Sequence, residues 1–388
     1  MLSLLTPQII IIYATYLVYL LLFLIVYKKF TIESIVSKVS SDKISVFLFA
    51  LVLIIFLSLL YFNSAMSDIP THARGAMRII KFERITGHFL FHLLVAIASF
   101  FSLNEYILVG AAILILSIAV VLKYRVSCYY INKIIEFSTT HKYYIQIGSL
   151  LSLFAFSIIL YPVFPKLMDS PVNVWHNPTT IFLMPFALLL FFKSYCFLQG
   201  DTDAKTIWIL VLLVFLNIIA KPSFFFVFCL VFPLFALIEY KFTKSFWKSL
   251  IPVFVGVVFI AAQYFYIYFY LNSNKPTGEE SGVIIRLLYY FDSIDKIGYF
   301  IVRIIANYAF PLLFLILYFN KIRFNKLLHY SVSLLIVAFL IKFSIFETGP
   351  RAGHGNFSWQ VVVTGFIWFL ISVQLFFKER FFTTLFFI

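Results

Sequence analysis

TIWILVLLVFLNIIAKPSFFFVFCLVFPLFALIEY, residues 206–240, carries only two charged side chains, Lys221 near its middle and Glu239 near its end. The runs on either side of Lys221 approach the ~20 apolar residues that cross the hydrocarbon core of a bilayer. Lipid offers no partner to an open backbone amide, so each run must be a helix. Ala220-Lys221-Pro222-Ser223 leaves almost no loop between them: Pro222 stops the first helix and Ser223 opens the second. A lysine is expensive inside lipid. At this junction it either snorkels to the interface or holds a phosphate, and both readings stand.

The same pattern fills the rest of the chain. Of 388 residues, 63% are hydrophobic and 12% charged, against about 25% charged in a soluble domain. Spans are expected at 7–27, 44–62, 107–122, 144–163, 178–198, 206–221, 223–240, 249–271, 297–319, 329–346 and 359–377. A further apolar segment, 88–103, opens with His88 and His92 and ends at Asn104-Glu105; it either crosses or lies half-buried at the interface, and its shortness favours the second. The expected fold is all-α: a polytopic bundle of about eleven to twelve transmembrane helices forming one membrane domain over residues 1–388. No internal repeat, soluble domain or low-complexity linker is visible. The N-terminus lacks a basic n-region and a small-residue cleavage site, so the first run reads as a retained helix. Abundant Phe and Tyr fit an AT-rich bacterial gene, and the expected location is a bacterial inner membrane.

The net charge of +14 is read as topology. Lys and Arg sit in short loops between apolar runs, as they do where loops stay cytoplasmic. No continuous basic surface exists for nucleic acid. Lys241, Lys244 and Lys248 mark one cytoplasmic loop, Lys321, Arg323 and Lys326 a second, and Lys123, Arg125, Lys133 and Lys142 a third; Lys378 and Arg380 follow the last span. Alternation then puts 164–177, 221–223, 272–296 and 347–358 outside. Loop 63–87 is outside too if 88–103 does not cross. Cys128, Cys196 and Cys229 are far apart with no CxxC pair, which argues against a disulfide framework or a zinc site.

The ionisable residues that do not serve topology gather in these outward segments. In loop 63–87, Asp68 precedes Pro70, His72, Arg74 and Arg78. A helix starting near Pro70 places Arg74 and Arg78 on one face. That face either binds an anion beside the carboxylate or lies on lipid headgroups. Trp175, His176 and Asn177 sit directly before a span; Asn177 and Pro178 suit an N-cap and first helical position, which leaves His176 unexplained. FETGPRAGHGNFSWQ, residues 346–360, packs Glu347, Arg351 and His354 among glycines. Arg351 can grip a phosphate in a fork, and His354 can move a proton near neutral pH. Loop 272–296 contributes Arg286 among several acids and reads equally as a lid or a solvated loop.

Ser67-Asp68-Ile69-Pro70-Thr71-His72, followed by a helix opening Gly87-His88-Phe89-Leu90-Phe91-His92, resembles the membrane glycosyltransferases of the GT-C fold. His176-Asn177-Pro178-Thr179 and Lys221-Pro222-Ser223 are similar to segments of the bacterial polysaccharide members. That resemblance implies a polyprenyl-phosphate-linked or diphosphate-linked sugar as donor, an acceptor on the extracytoplasmic side, and Asp68 as general base or metal ligand. The second acid often found beside that aspartate is replaced by Ser67, so a divalent metal stays open and no cofactor is assigned. Size and composition also resemble O-antigen polymerases, which join lipid-linked repeat units and rely on outward arginines; Arg74, Arg78, Arg286 and Arg351 are the counterparts.

The expected function is therefore glycosyl transfer in surface polysaccharide (O-antigen or capsule) biosynthesis. Asp68, His72 and His354 are the catalytic candidates. Arg74, Arg78, His176, Lys221, Arg286, Glu347 and Arg351 are candidates for substrate and phosphate binding. The expected partners are a polyprenyl-linked sugar or glycan and membrane lipids. The rival from another class is a lipid-linked glycan transporter or flippase, which would carry charged or broken helices deep in the bilayer. Only Arg303 and Lys342 read as such charges.

Overall fold

The computed structural model describes residues 17, 41–63, 67–83, 85–135, 143–155, 171–267, 282–286, 294–349 and 356–384. The described chain is an all-α bundle: α1 Ser41–Asn63, α2 Ile69–Ile80, α3 Leu90–Ala98, α4 Glu105–Ile134, α5 Tyr143–Leu153, α6 Pro178–Leu198, α7 Ala204–Ala220, α8 Ser223–Tyr240, α9 Lys244–Phe265, α10 Ile294–Ile322, α11 Lys326–Ser344 and α12 Trp359–Thr384. One two-stranded antiparallel ribbon pairs β1, Val283–Ile285, with β2, Ile345–Glu347. Among the described residues eight helices are long and apolar enough to cross a membrane, and α7 is a shorter apolar helix beside them. This is a multi-pass membrane protein. Of the expected span 7–27, only residue 17 is among the described residues.

Helix boundaries follow local chemistry. Asn104, Asn177, Asp203 and Asn325 each accept a backbone N–H from the first turn of the helix they precede. Lys221 ends α7 in extended backbone, and Pro222 follows where the helix cannot continue. Helix α12 is enclosed on all sides and α6 nearly so, whereas α1 and α9 sit at the periphery. The peripheral helices turn Val46, Phe47, Phe254 and Val258 outward, the composition that lipid demands. Close approach uses glycine: a Cβ on Gly365 of α12 would stand 2.4 Å from the Tyr308 hydroxyl of α10.

The bundle has two chemically different ends. At one, Arg125 pairs with Asp42 at 2.8 Å, Lys193 with Asp201 at 2.7 Å and Lys326 with Glu239 at 2.8 Å. Lys248 reaches the Thr202 carbonyl at the same end. At the other, the Asp68 N–H donates to the His176 carbonyl at 3.1 Å. Lys221 and Trp359 also lie there. We call these the basic end and the polar end. Segment 88–103 begins and finishes at the polar end: Gln263 holds the Gly87 carbonyl, and Glu105 pairs with Arg74. Helix α3 has nine residues, or roughly 13 Å of rise, too short to cross.

One expectation needs correction. Lys123 is not a loop residue. Helix α4 runs 30 residues, past the expected end at 122, and buries Lys123 inside the bundle. Of the span expected at 144–163, helix α5 covers Tyr143–Leu153, and residues 156–163 lie outside the described residues. The Asn173 side chain donates to the carbonyls of Ser152 and Ala155 at 2.8 and 2.7 Å, supplying at the helix end the partners that a continuing helix would provide.

Candidate functional site

Asp68 stands immediately before α2, in a turn fixed by Ser67, whose hydroxyl accepts the Ile69 N–H at 3.3 Å. Ser67 thus has a structural task. Asn177, at the start of α6, is the hub. Its amide nitrogen donates to the Asp68 carboxylate over a long 3.4 Å, and its oxygen accepts the Thr180 N–H at 3.0 Å. The same oxygen accepts from the Lys221 ammonium at 3.0 Å.

Lys221 also donates to Thr180 Oγ1 at 2.8 Å and Thr179 Oγ1 at 3.2 Å, so its three protons meet three neutral oxygens. Its ammonium lies 4.3 Å from the centre of the Trp359 ring, a cation–π distance. Burial pulls its pKa down to about 7, and the nearby Asp68 charge works against that. The charge is held without a contacting carboxylate, the arrangement of a cation kept ready for an anion. His176 is exposed and tilts over Trp359, with ring centres 5.9 Å apart.

His72 lies one turn into α2, its Nδ1 2.9 Å from Nε2 of His92 on α3. Thr86 reaches the other His92 nitrogen at 3.5 Å. Gly75 makes the pairing possible, since a Cβ there would fall 2.6 Å from the His92 ring. Burial first, then His92 and Lys221, push the His72 pKa to about 3; burial holds that of His92 at about 4. Both rings are neutral at physiological pH. A base held that low is poorly matched to proton abstraction near pH 7, which leaves Asp68 as the better-placed acceptor.

The structure thus brings four of the expected site residues, Asp68, His72, His176 and Lys221, to one place. Others lie elsewhere. Arg74 is exposed and pairs with Glu105 at 3.0 Å. Arg78 is exposed in the last turn of α2, and its side chain makes no hydrogen bond or ion pair among the described residues. Arg286 follows β1, its N–H donating to the Ser344 carbonyl at 2.8 Å. Glu347 ends β2, buried, and accepts from Asn356 at 2.7 Å, three residues before Trp359. Arg351 and His354 lie outside the described residues. Arg303 and Lys342 line one small cavity between α10 and α11.

Sequence reasoning assigned no site role to Asn177, Thr179, Thr180, His92 or Trp359. Asn177-Pro178 does cap α6 as its sequence indicates, but its links to Asp68 and Lys221 span 109 and 44 residues and leave no local trace. Among the described residues no three of His, Cys, Asp and Glu converge as a metal cage requires. Comparison of the chain with protein-family models, with curated proteins and with solved structures finds no match in any of the three.

Proposed function

We propose that this chain is a membrane glycosyltransferase that takes a sugar or glycan from a polyprenyl phosphate or diphosphate at the polar end of the bundle. Its place would be surface polysaccharide assembly. The observation that carries this reading is the chain of contacts Asp68–Asn177–Lys221, which sets a carboxylate and a lysine whose contacts are all neutral on either side of one amide. Basic loops favour the cytoplasm, so the polar end faces away from it. Asp68 takes the proton of the acceptor hydroxyl as the new bond forms. Lys221 exchanges threonine hydroxyls for oxygens of the departing phosphate, whose growing charge its ammonium offsets. Trp359 and His176 line the approach. The polyprenyl chain lies against apolar helix surface, which α9 exposes at Phe254 and Val258.

One observation favours a second reading. Helix α4 carries a buried lysine, Lys123, deep in the bundle, and charge at such depth is a feature of transporters. Purified protein given a synthetic polyprenyl-phosphate-linked sugar and candidate acceptors separates the two. A new glycosidic bond supports transfer, and an acceptor that must itself be lipid-linked identifies a polymerase. Lipid binding or movement across a vesicle with no new bond sinks the transferase reading in favour of transport.

A further inference from the structure

His72 and His92 are both neutral at physiological pH, so each ring carries one proton and one bare nitrogen. Their contacts end on a backbone carbonyl, which only accepts. The Thr86 hydroxyl, 3.4 Å from the His88 carbonyl, therefore donates to it. Thr86 Oγ1 then turns lone pairs to Nδ1 of His92, 3.5 Å away, and that nitrogen carries the proton. The His88 carbonyl draws the same proton. Nε2 of His92 is left as an acceptor, so His72 donates to it from Nδ1 at 2.9 Å. The bare nitrogen of His72 is therefore Nε2.

That lone pair meets no donor among the described residues, and His72 is only partly buried. The ring is held between His92 and Phe91, with centres 5.1 and 6.0 Å away. The His72 N–H bonds the Asp68 carbonyl at 3.0 Å, one helical turn back. The two side chains thus share a face of α2, with β-carbons roughly 5–6 Å apart. An anion has no proton to give this nitrogen. A cation is disfavoured by Lys221, which is close enough to act on the ring. A neutral O–H donor fits. On the transferase reading, on which this inference rests, the acceptor sugar brings such donors beside the hydroxyl that Asp68 deprotonates. We infer that Nε2 of His72 accepts a hydrogen bond from a second hydroxyl of the acceptor sugar, on the carbon next to the attacking one, and so selects which hydroxyl meets Asp68. His72 binds substrate in this role and moves no proton.

Two measurements test this. Nitrogen-15 NMR of the purified full chain, labelled at histidine, needs no substrate. The His72 proton is expected on Nδ1, and a proton on Nε2 overturns the inference whatever the activity. Kinetics then use a synthetic polyprenyl-phosphate-linked sugar as donor. The acceptors are methyl glycosides and polyprenyl-diphosphate-linked monosaccharides, each beside analogues lacking one hydroxyl. For the wild type, one such analogue is expected to raise KM about tenfold with kcat little changed, the loss of one hydrogen bond. His72→Phe, which keeps a ring against Phe91 and His92, is expected to raise the parent KM about tenfold and to make parent and analogue equal. His92→Leu, which frees the His72 proton to sit on either nitrogen, is expected to weaken the preference although His72 remains. A preference that survives in His72→Phe overturns the role of His72 and leaves the transferase reading standing. No glycosidic bond from the wild type with any acceptor sinks that reading and this inference with it. Should His72→Phe fail to accumulate, His92→Leu decides: an undiminished preference overturns the role.

Discussion

Lys221 and Lys123 are both buried, and each is held by an asparagine of one short segment, Asn177 and Asn173. Their surroundings differ in one decisive respect. Lys221 sits at a helix junction with Asp68 close enough to act on it and with three exchangeable oxygens around it. Lys123 sits mid-helix with one amide oxygen, one aromatic face and a small cavity beside it. The same side chain therefore meets a nearby carboxylate and exchangeable oxygens in one case and only neutral, buried partners in the other. The difference lies in which backbone ends meet it: the termini of α6, α7 and α8 at Lys221, and the end of α5, held by Asn173, at Lys123.

The largest stability effect is expected at Asn173. Asn173→Ala strips Lys123 of its oxygen and two buried carbonyls of their donor, so stability should fall by about 3–5 kcal/mol, as when one partner of a buried charge is removed. Thermal unfolding of the purified variant checks this, and a loss below about 1 kcal/mol would mean that water replaces the amide without difficulty. Asn177→Ala should lose less, about 0.5–2 kcal/mol, the range of a lost helix cap. Its main consequence is functional, because the link between Asp68 and Lys221 goes with it. Equal destabilisation by the two alanines would erase the proposed contrast.

A pH titration sharpens the comparison. Between pH 7 and 10.5 the unfolded chain keeps the Lys221 proton that the folded chain has released. The unfolded state then binds more protons, so stability rises with pH across that window. Below pH 7 both states are protonated and the contribution is flat. Lys221→Met should remove the slope. A bound phosphate favours the charged lysine, so phosphate affinity should weaken as pH rises above 7. Affinity that strengthens instead would place the anion elsewhere.

The smallest effect is expected at Arg74. Its pair with Glu105 is about half exposed on both sides, and Arg74→Ala should change stability by about 0–1 kcal/mol. A loss of transfer activity in this variant out of proportion to that figure would return Arg74 to the site.

The contrast between the two lysines also marks what the sequence discloses. Lys221 was legible because an abrupt Lys-Pro-Ser junction between two apolar runs has few places to go, and both runs are helices as read. Its companions Asp68 and His176 were legible because alternation of the spans carries their segments to the same end of the bundle. Lys123 was misread because charge ends a span in a hydropathy reading, and nothing local announces an amide 50 residues on that can absorb the charge. Helix caps at Asn104, Asn177 and Asn325 are local and follow from residue type. The His72–His92 pair depends on Gly75 letting two helices touch, which becomes visible only once they are placed.

The central claim is that the carboxylate of Asp68 serves bond formation at the polar end. Asp68→Asn keeps the size of the side chain and can still hydrogen-bond to Asn177, but it cannot accept a proton near neutral pH. Turnover of a synthetic polyprenyl-phosphate-linked sugar by purified wild-type and Asp68→Asn proteins, matched for folding by thermal midpoint, is the direct measurement. The account predicts a new glycosidic bond from the wild type and at least a 100-fold slower rate from the variant, the lower range for removal of a general base. Turnover by Asp68→Asn within threefold of wild type would contradict it, since no chemistry assigned to that carboxylate survives the substitution.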